Sequence, residues 1–127
     1  MGAILYDLQR HIQTLSLETG ARIKRVPLLE SRVICRGYET ELRIPTVAST
    51  ISYAVALHEI GHLAIKPHIP LFQSPLSRVS AEEQAAWKWA YQQALVWTPA
   101  MRQTGCFSLG TYGLDVSAFV SLPLKDI

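Results

Sequence analysis

Between Pro45 and Pro67 runs a stretch that is apolar on almost every side yet carries His58, Glu59 and His62 in its middle. A helix over this stretch, capped by Thr46 or Ser49 and stopped by Pro67, would present Ile51, Val55, Ala56, Leu57, Ile60, Leu63, Ala64 and Ile65 around its whole circumference. A helix that is apolar all round belongs at the centre of a fold, so the remaining elements must surround it. Of the 127 residues, 49% are hydrophobic and only 17% charged, enough apolar surface to bury such a helix within one domain spanning 1–127. The same balance excludes a disordered chain.

The flanking elements follow from periodicity. Ile4, Leu5, Leu8, Ile12 and Leu15 recur at helical spacing and predict a first helix ending near Thr19, with Gly20 as its cap. Residues 21–26 and 32–36 read as short strands. Residues 38–44 alternate, with Tyr38, Thr40, Leu42 and Ile44 on one face and Glu39, Glu41 and Arg43 on the other, which predicts a half-buried strand in a hairpin with its predecessor. After a proline-stiffened loop over 67–77, Ser80 with Glu83 forms a capping-box pattern opening a helix to about Trp97. Thr98-Pro99 starts another, reaching about Tyr112, and a short apolar element is expected over 118–122. The expected fold class is α+β, with a small, mostly antiparallel sheet.

The chemistry lies in His58-Glu59-Ile60-Gly61-His62, an HExxH pattern. At about 100° per residue, two histidines four apart lie about 40° from each other on one helical face and can reach one metal ion. Glu59 stands beside that pair, where a general base acting on water belongs. A catalytic zinc needs a third protein ligand and an open position, and three residues compete for the role: Glu83, Glu82 and His68. Glu83 falls in the middle of the apolar stripe of Ala86, Trp87, Ala90, Ala94 and Trp97, where a carboxylate is costly unless a positive charge meets it. Its competing role is the third residue of the Ser80 capping box. Glu82 points toward the polar side. His68 has the spacing of HExxHxxGxxH, but Ile65 stands where that turn uses glycine.

Residues 38–97 resemble the ImmA/IrrE-type zinc metallopeptidases of phages and mobile elements. The resemblance rests on strand Glu41–Ile44, on Ala56-Leu57-His58-Glu59-Ile60-Gly61-His62-Leu63, and on Glu83-Gln84-Ala85-Ala86-Trp87-Lys88-Trp89-Ala90. It implies a gluzincin-like, zincin-like fold, a Zn2+ cofactor held by His58, His62 and Glu83, and peptide hydrolysis with Glu59 as base. The substrate would be a protein or peptide, held along the strand ending at Ile44. The competing expectation is a non-catalytic zinc-binding regulator with a protein partner or a second copy of itself.

Other features speak to setting. Net charge is +2 with basic residues scattered along the sequence, so no nucleic-acid partner is expected. The most apolar run holds two His and a Glu and is too short to span a bilayer, and two isolated cysteines fit a reducing cytoplasm. Cys35 and Cys106 read as small buried apolar residues, Trp87, Trp89 and Trp97 as core and rim packing, and Tyr38, Tyr53, Tyr91 and Tyr112 as candidate oxyanion donors.

Overall fold

The computed structural model describes residues 2–36, 39–65 and 75–126. Helix α1 (Gly2–Glu18) is followed by strand β1 (Arg22–Arg25), a single 3-10 turn (Leu28–Glu30) and strands β2 (Arg32–Arg36) and β3 (Glu39–Ile44). Helices α2 (Thr50–Ala64), α3 (Pro75–Gln93), α4 (Pro99–Thr111) and α5 (Ser117–Val120) complete the order, an α+β arrangement. None of the helices among the described residues is long and apolar enough to cross a membrane.

α2 is the central element, as its all-round apolarity requires: it packs on α1, α3, α4, β2 and β3, and Tyr53, Ala54, Ala56, Leu57 and Ile60 are buried. Ser49 is its cap. The Ser49 hydroxyl accepts from the Ser52 backbone N–H, and the Ser52 hydroxyl accepts in turn from the Ser49 N–H. α1 contributes Leu8 and Ile12 to the same core, and the turn after it passes through Gly20, whose φ of 72° lies in the left-handed region that favours glycine.

The sheet corrects the expectation of mostly antiparallel pairing. Its order is β1-β3-β2; β2 pairs β3 antiparallel, as the hairpin pattern suggested, but β1 pairs β3 in parallel. The strand ending at Ile44 is therefore the central strand, flanked on both sides, and cannot receive a substrate by edge pairing. That property passes to β2, which has β3 on one side and no strand on the other among the described residues. Leu42 and Ile44 are buried against α2, and Glu41 and Arg43 lie on the outer face, as the alternation predicted. Gly37 and Tyr38, which the sequence placed at the hairpin, lie outside the described residues.

α3 begins at Pro75, earlier than the Ser80 pattern indicated, and ends at Gln93, short of Trp97. Glu83 is accordingly more than two turns inside the helix, where backbone N–H groups already have carbonyl partners, so the capping-box role for it falls. The far end of α3 is closed by Lys125, whose ammonium donates to the carbonyls of Tyr91 and Ala94 and lies 4.3 Å from the Tyr91 ring centroid. α4 starts as expected, with the Thr98 side chain accepting from the Met101 N–H and Pro99 in the first turn.

A part-buried polar link runs from the Tyr53 hydroxyl to α1 and to the chain after α3. The Tyr53 hydroxyl accepts from the Leu95 N–H at 2.9 Å and meets His11 Nδ1 at 2.7 Å. Burial holds His11 below its usual pKa, keeping Nδ1 available as an acceptor for the phenol proton. Tyr53→Phe should cost about 0.5–1.5 kcal/mol in urea denaturation, because it removes the acceptor of the Leu95 N–H and the partner of His11. Burial also pushes the Tyr53 phenol up to about 12 from its usual 10, against the Leu95 hydrogen bond. A raised folded pKa means stability complete below pH 10 and lost as pH climbs through about 12. Wild type should therefore weaken by about 2–3 kcal/mol over that window, and Tyr53→Phe should flatten the slope.

Candidate metal centre

The site is made where α2 and α3 touch. His58 and His62 project from successive turns of α2, and α3 supplies Glu82 and Glu83 as consecutive residues opposite them. The two helices come this close because residue 61 is glycine: a Cβ built there would lie 2.8 Å from the Ala86 carbonyl oxygen and 3.2 Å from Trp89 Cε3. The backbone of α3 thus lies directly on α2, next to His62. Gly61→Ala should destabilise by about 1–3 kcal/mol through overpacking, although alanine favours a helix by about 1 kcal/mol over glycine. It should also weaken metal binding by pushing Glu83 away. An alanine variant matching wild type in urea midpoint and metal affinity would show that the helix contact does not set the site.

His58 Nε2 lies 2.8 Å from Glu83 Oε2, His62 Nε2 lies 3.0 Å from Glu83 Oε1, and the two imidazole Nε2 atoms are 3.1 Å apart. Ligand atoms of these three side chains all fall within 4.8 Å of one another, so they could hold a metal ion. The fit is geometric as well as chemical. Four ligands at about 2.0–2.1 Å around a tetrahedral ion stand about 3.3 Å apart, close to the observed spacings. Two nitrogens and a carboxylate oxygen are also the donor types a borderline ion accepts.

Glu82, weighed from sequence as an alternative ligand, serves a different purpose. Its Oε1 lies 3.0 Å from His62 Nδ1, on the side of the ring away from the Glu83 contact. Such a carboxylate fixes the ring orientation and leaves Nε2 directed into the centre. His58 is oriented by packing instead, its ring stacked on Trp87 at 4.4 Å between centroids and 12° between planes. Trp87 is itself anchored by its indole N–H to the Ser108 hydroxyl of α4 at 3.1 Å. His68 lies outside the described residues.

The electrostatics are those of a tightly coupled cluster. Burial works against charge on Glu83, but hydrogen bonds from His58 and His62 override it and bring the carboxyl down to about 2. Burial likewise opposes charge on His62, and its hydrogen bond to Glu83 with the nearby carboxylates raises it to about 9. His58 moves the other way, lowered chiefly by burial. The opposite shifts are consistent: two nitrogens 3.1 Å apart cannot both carry protons toward each other, so one imidazole takes the charge.

Glu59 is 7% exposed, and its Oε2 is buried with no hydrogen-bond partner among the described residues. Burial pushes this carboxyl up to about 7, offset in part by His62 and reinforced by Glu83 and Glu82. A carboxyl poised near neutrality with an unsatisfied oxygen at the wall of a cleft has the properties of a proton acceptor.

That cleft has a volume of about 550 Å3; it is lined by His58, Glu59 and His62 of α2, Glu83 of α3, and Leu28, Leu29 and Val33 of the 3-10 turn and β2. Of the four tyrosines singled out from sequence, Tyr112 alone among the described residues reaches it; Tyr53 is buried in the core and Tyr91 donates to the Pro123 carbonyl. Burial and then the neighbouring Glu83 raise the Tyr112 phenol, which keeps it protonated and able to donate. Cys35 corrects its sequence reading: it is exposed and lines the cleft, while Cys106 is half-buried. The leucine pair of the 3-10 turn and the Gly61 contact carried no recognisable motif, although a glycine inside an apolar helix is a signal of close approach. Comparison with family models, with curated proteins and with solved structures finds no match for this chain.

Proposed function

We propose that this protein is a zinc-dependent peptidase with a zincin-like architecture, a small relative of the ImmA/IrrE-type enzymes. The observation that carries the reading is the conjunction of a three-donor cluster, His58, His62 and Glu83, with a buried Glu59 oxygen that has no hydrogen-bond partner among the described residues, in the same cleft. A cluster alone would suit a structural ion. The poised carboxyl beside it is what hydrolysis needs and a structural site does not.

Zinc, when bound, supplies Lewis acidity, lowering the pKa of water toward neutrality and polarising a carbonyl. Glu59 accepts the proton of the attacking water and returns it to the departing amine, a double duty suited to a carboxyl near 7. Tyr112 donates its phenol proton as a hydrogen bond where negative charge develops on the carbonyl oxygen. Glu82 holds His62 in one tautomer throughout. The substrate lies extended along the edge of β2 that carries no strand among the described residues; Val33 of this strand lines the cleft.

The test is reconstitution. Chain stripped by chelator should regain cleavage of an unstructured protein substrate on addition of one equivalent of zinc, followed by mass spectrometry of the fragments. One tightly held zinc with no cleavage would replace the enzyme by a non-catalytic zinc-binding regulator.

A further inference from the structure

Basic residues scattered along the sequence are gathered by the sheet register. Lys24 of β1 stands opposite Arg43 of β3, and Arg43 stands opposite Arg32 of β2, so three cations occupy one row across all three strands. Arg22 lies two residues back along β1, opposite Glu41. Like charges set directly across strands destabilise a sheet, so this row costs stability that a neutral outer face would not. Carboxylates answer only part of it. Glu41 is ion-paired with Arg43, and Arg43, Lys24 and Arg22 together hold Glu41 below the usual carboxylate range; Glu39 is exposed further along β3. Arg22, Lys24 and Arg32 remain exposed.

The row is continuous with the candidate site, because Arg32 belongs to both: it ends the row on β2, the last strand of the sheet among the described residues, and lines the cleft. The same strand and the 3-10 turn before it also give the cleft apolar lining, Val33, Leu28 and a Leu29 that is 97% exposed, with Ser31 and Cys35 among them. A strand added along β2 sends successive side chains to opposite faces of the sheet. One set meets the apolar wall of the cleft. The other set meets Arg32, with Arg43 and Lys24 behind it within about a Debye length of 8–10 Å.

We propose that the substrate is an extended polypeptide segment in which apolar and acidic residues alternate, its acidic side chains lying toward Arg32 and the basic row, its apolar ones on Leu28, Leu29 and Val33. This rests on the peptidase reading of the same cleft and adds the class of sequence it takes. A nucleic acid would be drawn by the same charge but has no counterpart for the leucine wall.

The test measures binding separately from cleavage. A fluorescein-labelled peptide with glutamate at alternate positions and leucine or valine between is titrated against the whole, zinc-loaded Glu59→Gln chain by anisotropy. A matched peptide with lysine for glutamate and a single-stranded oligonucleotide serve as competitors. The acidic peptide should bind about tenfold more tightly than its lysine counterpart, with the difference shrinking at high salt. Arg32→Glu should reverse the preference, and Lys24→Glu, one strand further off than Arg43, should reduce it by a smaller factor, both with unchanged far-UV circular dichroism. Equal binding of the two peptides, an Arg32→Glu chain with the original preference, or tighter binding of the oligonucleotide would overturn the proposal. An acidic peptide bound as expected but left intact by zinc-loaded wild type would sustain it and sink the peptidase reading instead.

Discussion

Glu59→Gln should keep one zinc per chain and lose about 10²–10⁴-fold in peptide cleavage. The substitution is nearly isosteric, so the geometry of His58 and His62 on either side of it is preserved, while an amide cannot accept a proton from water. It should also leave a signature unrelated to catalysis. In the metal-free chain the Glu59 carboxyl, raised by burial to about 7 from its ordinary 4.5, favours the folded state fully below pH 4.5. That contribution disappears as pH rises through about 7. The glutamine variant lacks this titration, so its stability should change less between pH 4.5 and 7 than that of the wild type, read from urea midpoints across the range. Loss of zinc from the variant would mean that Glu59 supports the metal; undiminished cleavage would mean that another group takes the proton.

Glu83→Ala should abolish stoichiometric zinc binding, the second large effect. Removing one of three protein donors leaves two imidazoles 3.1 Å apart with nothing anionic between them. Glu82→Ala should weaken zinc by about 10–100-fold without abolishing it, the cost of releasing an oriented histidine. His68→Ala should retain zinc. Measured side by side by metal analysis after dialysis against a weak chelator, the three variants rank the sequence's three candidates directly. A chain that keeps its zinc without Glu83 would overturn the ligand assignment. The metal-free protein carries a pH signature as well. Glu83, depressed to about 2, contributes stability above pH 4.5 that is lost as pH falls through about 2; His62, raised to about 9, contributes below pH 6.5 and loses it as pH rises through about 9. Both contributions are complete between about pH 4.5 and 6.5, so metal-free wild type should exceed Glu83→Ala in stability most clearly there.

Much of this site could be read from sequence because helical periodicity is local. A cap for α2 at Thr46 or Ser49, of which the structure uses Ser49, Thr98-Pro99 as the start of α4, and the position of Glu83 within the Ala86, Trp87 and Ala90 stripe all depend on neighbours within a turn or two. The same local reasoning erred where a second local signal competed: Ser80 and Glu83 match a capping box, yet the helix is already under way from Pro75 when it reaches Ser80. Sheet order was illegible for a different reason. Parallel pairing of β1 with β3, past the β2 that separates them in sequence, is non-local, and nothing in residues 21–26 records its partner. With the register hidden, the row of Lys24, Arg43 and Arg32 looked like dispersed charge, and Cys35 looked like a core residue. Glu82 was half legible: helical arithmetic turned it from the apolar stripe, but only the placement of His62 shows that it has a ring nitrogen to hold.

The stacking of His58 on Trp87 has a consequence for how this molecule is watched. With two aromatic planes 12° apart and 4.4 Å between centroids, the indole's emission should change with the protonation of the imidazole beside it and with any ion bound there, read as tryptophan fluorescence across a pH or zinc titration. Trp97 is fully buried against Phe119 and Tyr91, away from that ring. Trp87 therefore stands as a built-in reporter beside the candidate site, to be read against Trp97 in the core and Trp89 next to Gly61.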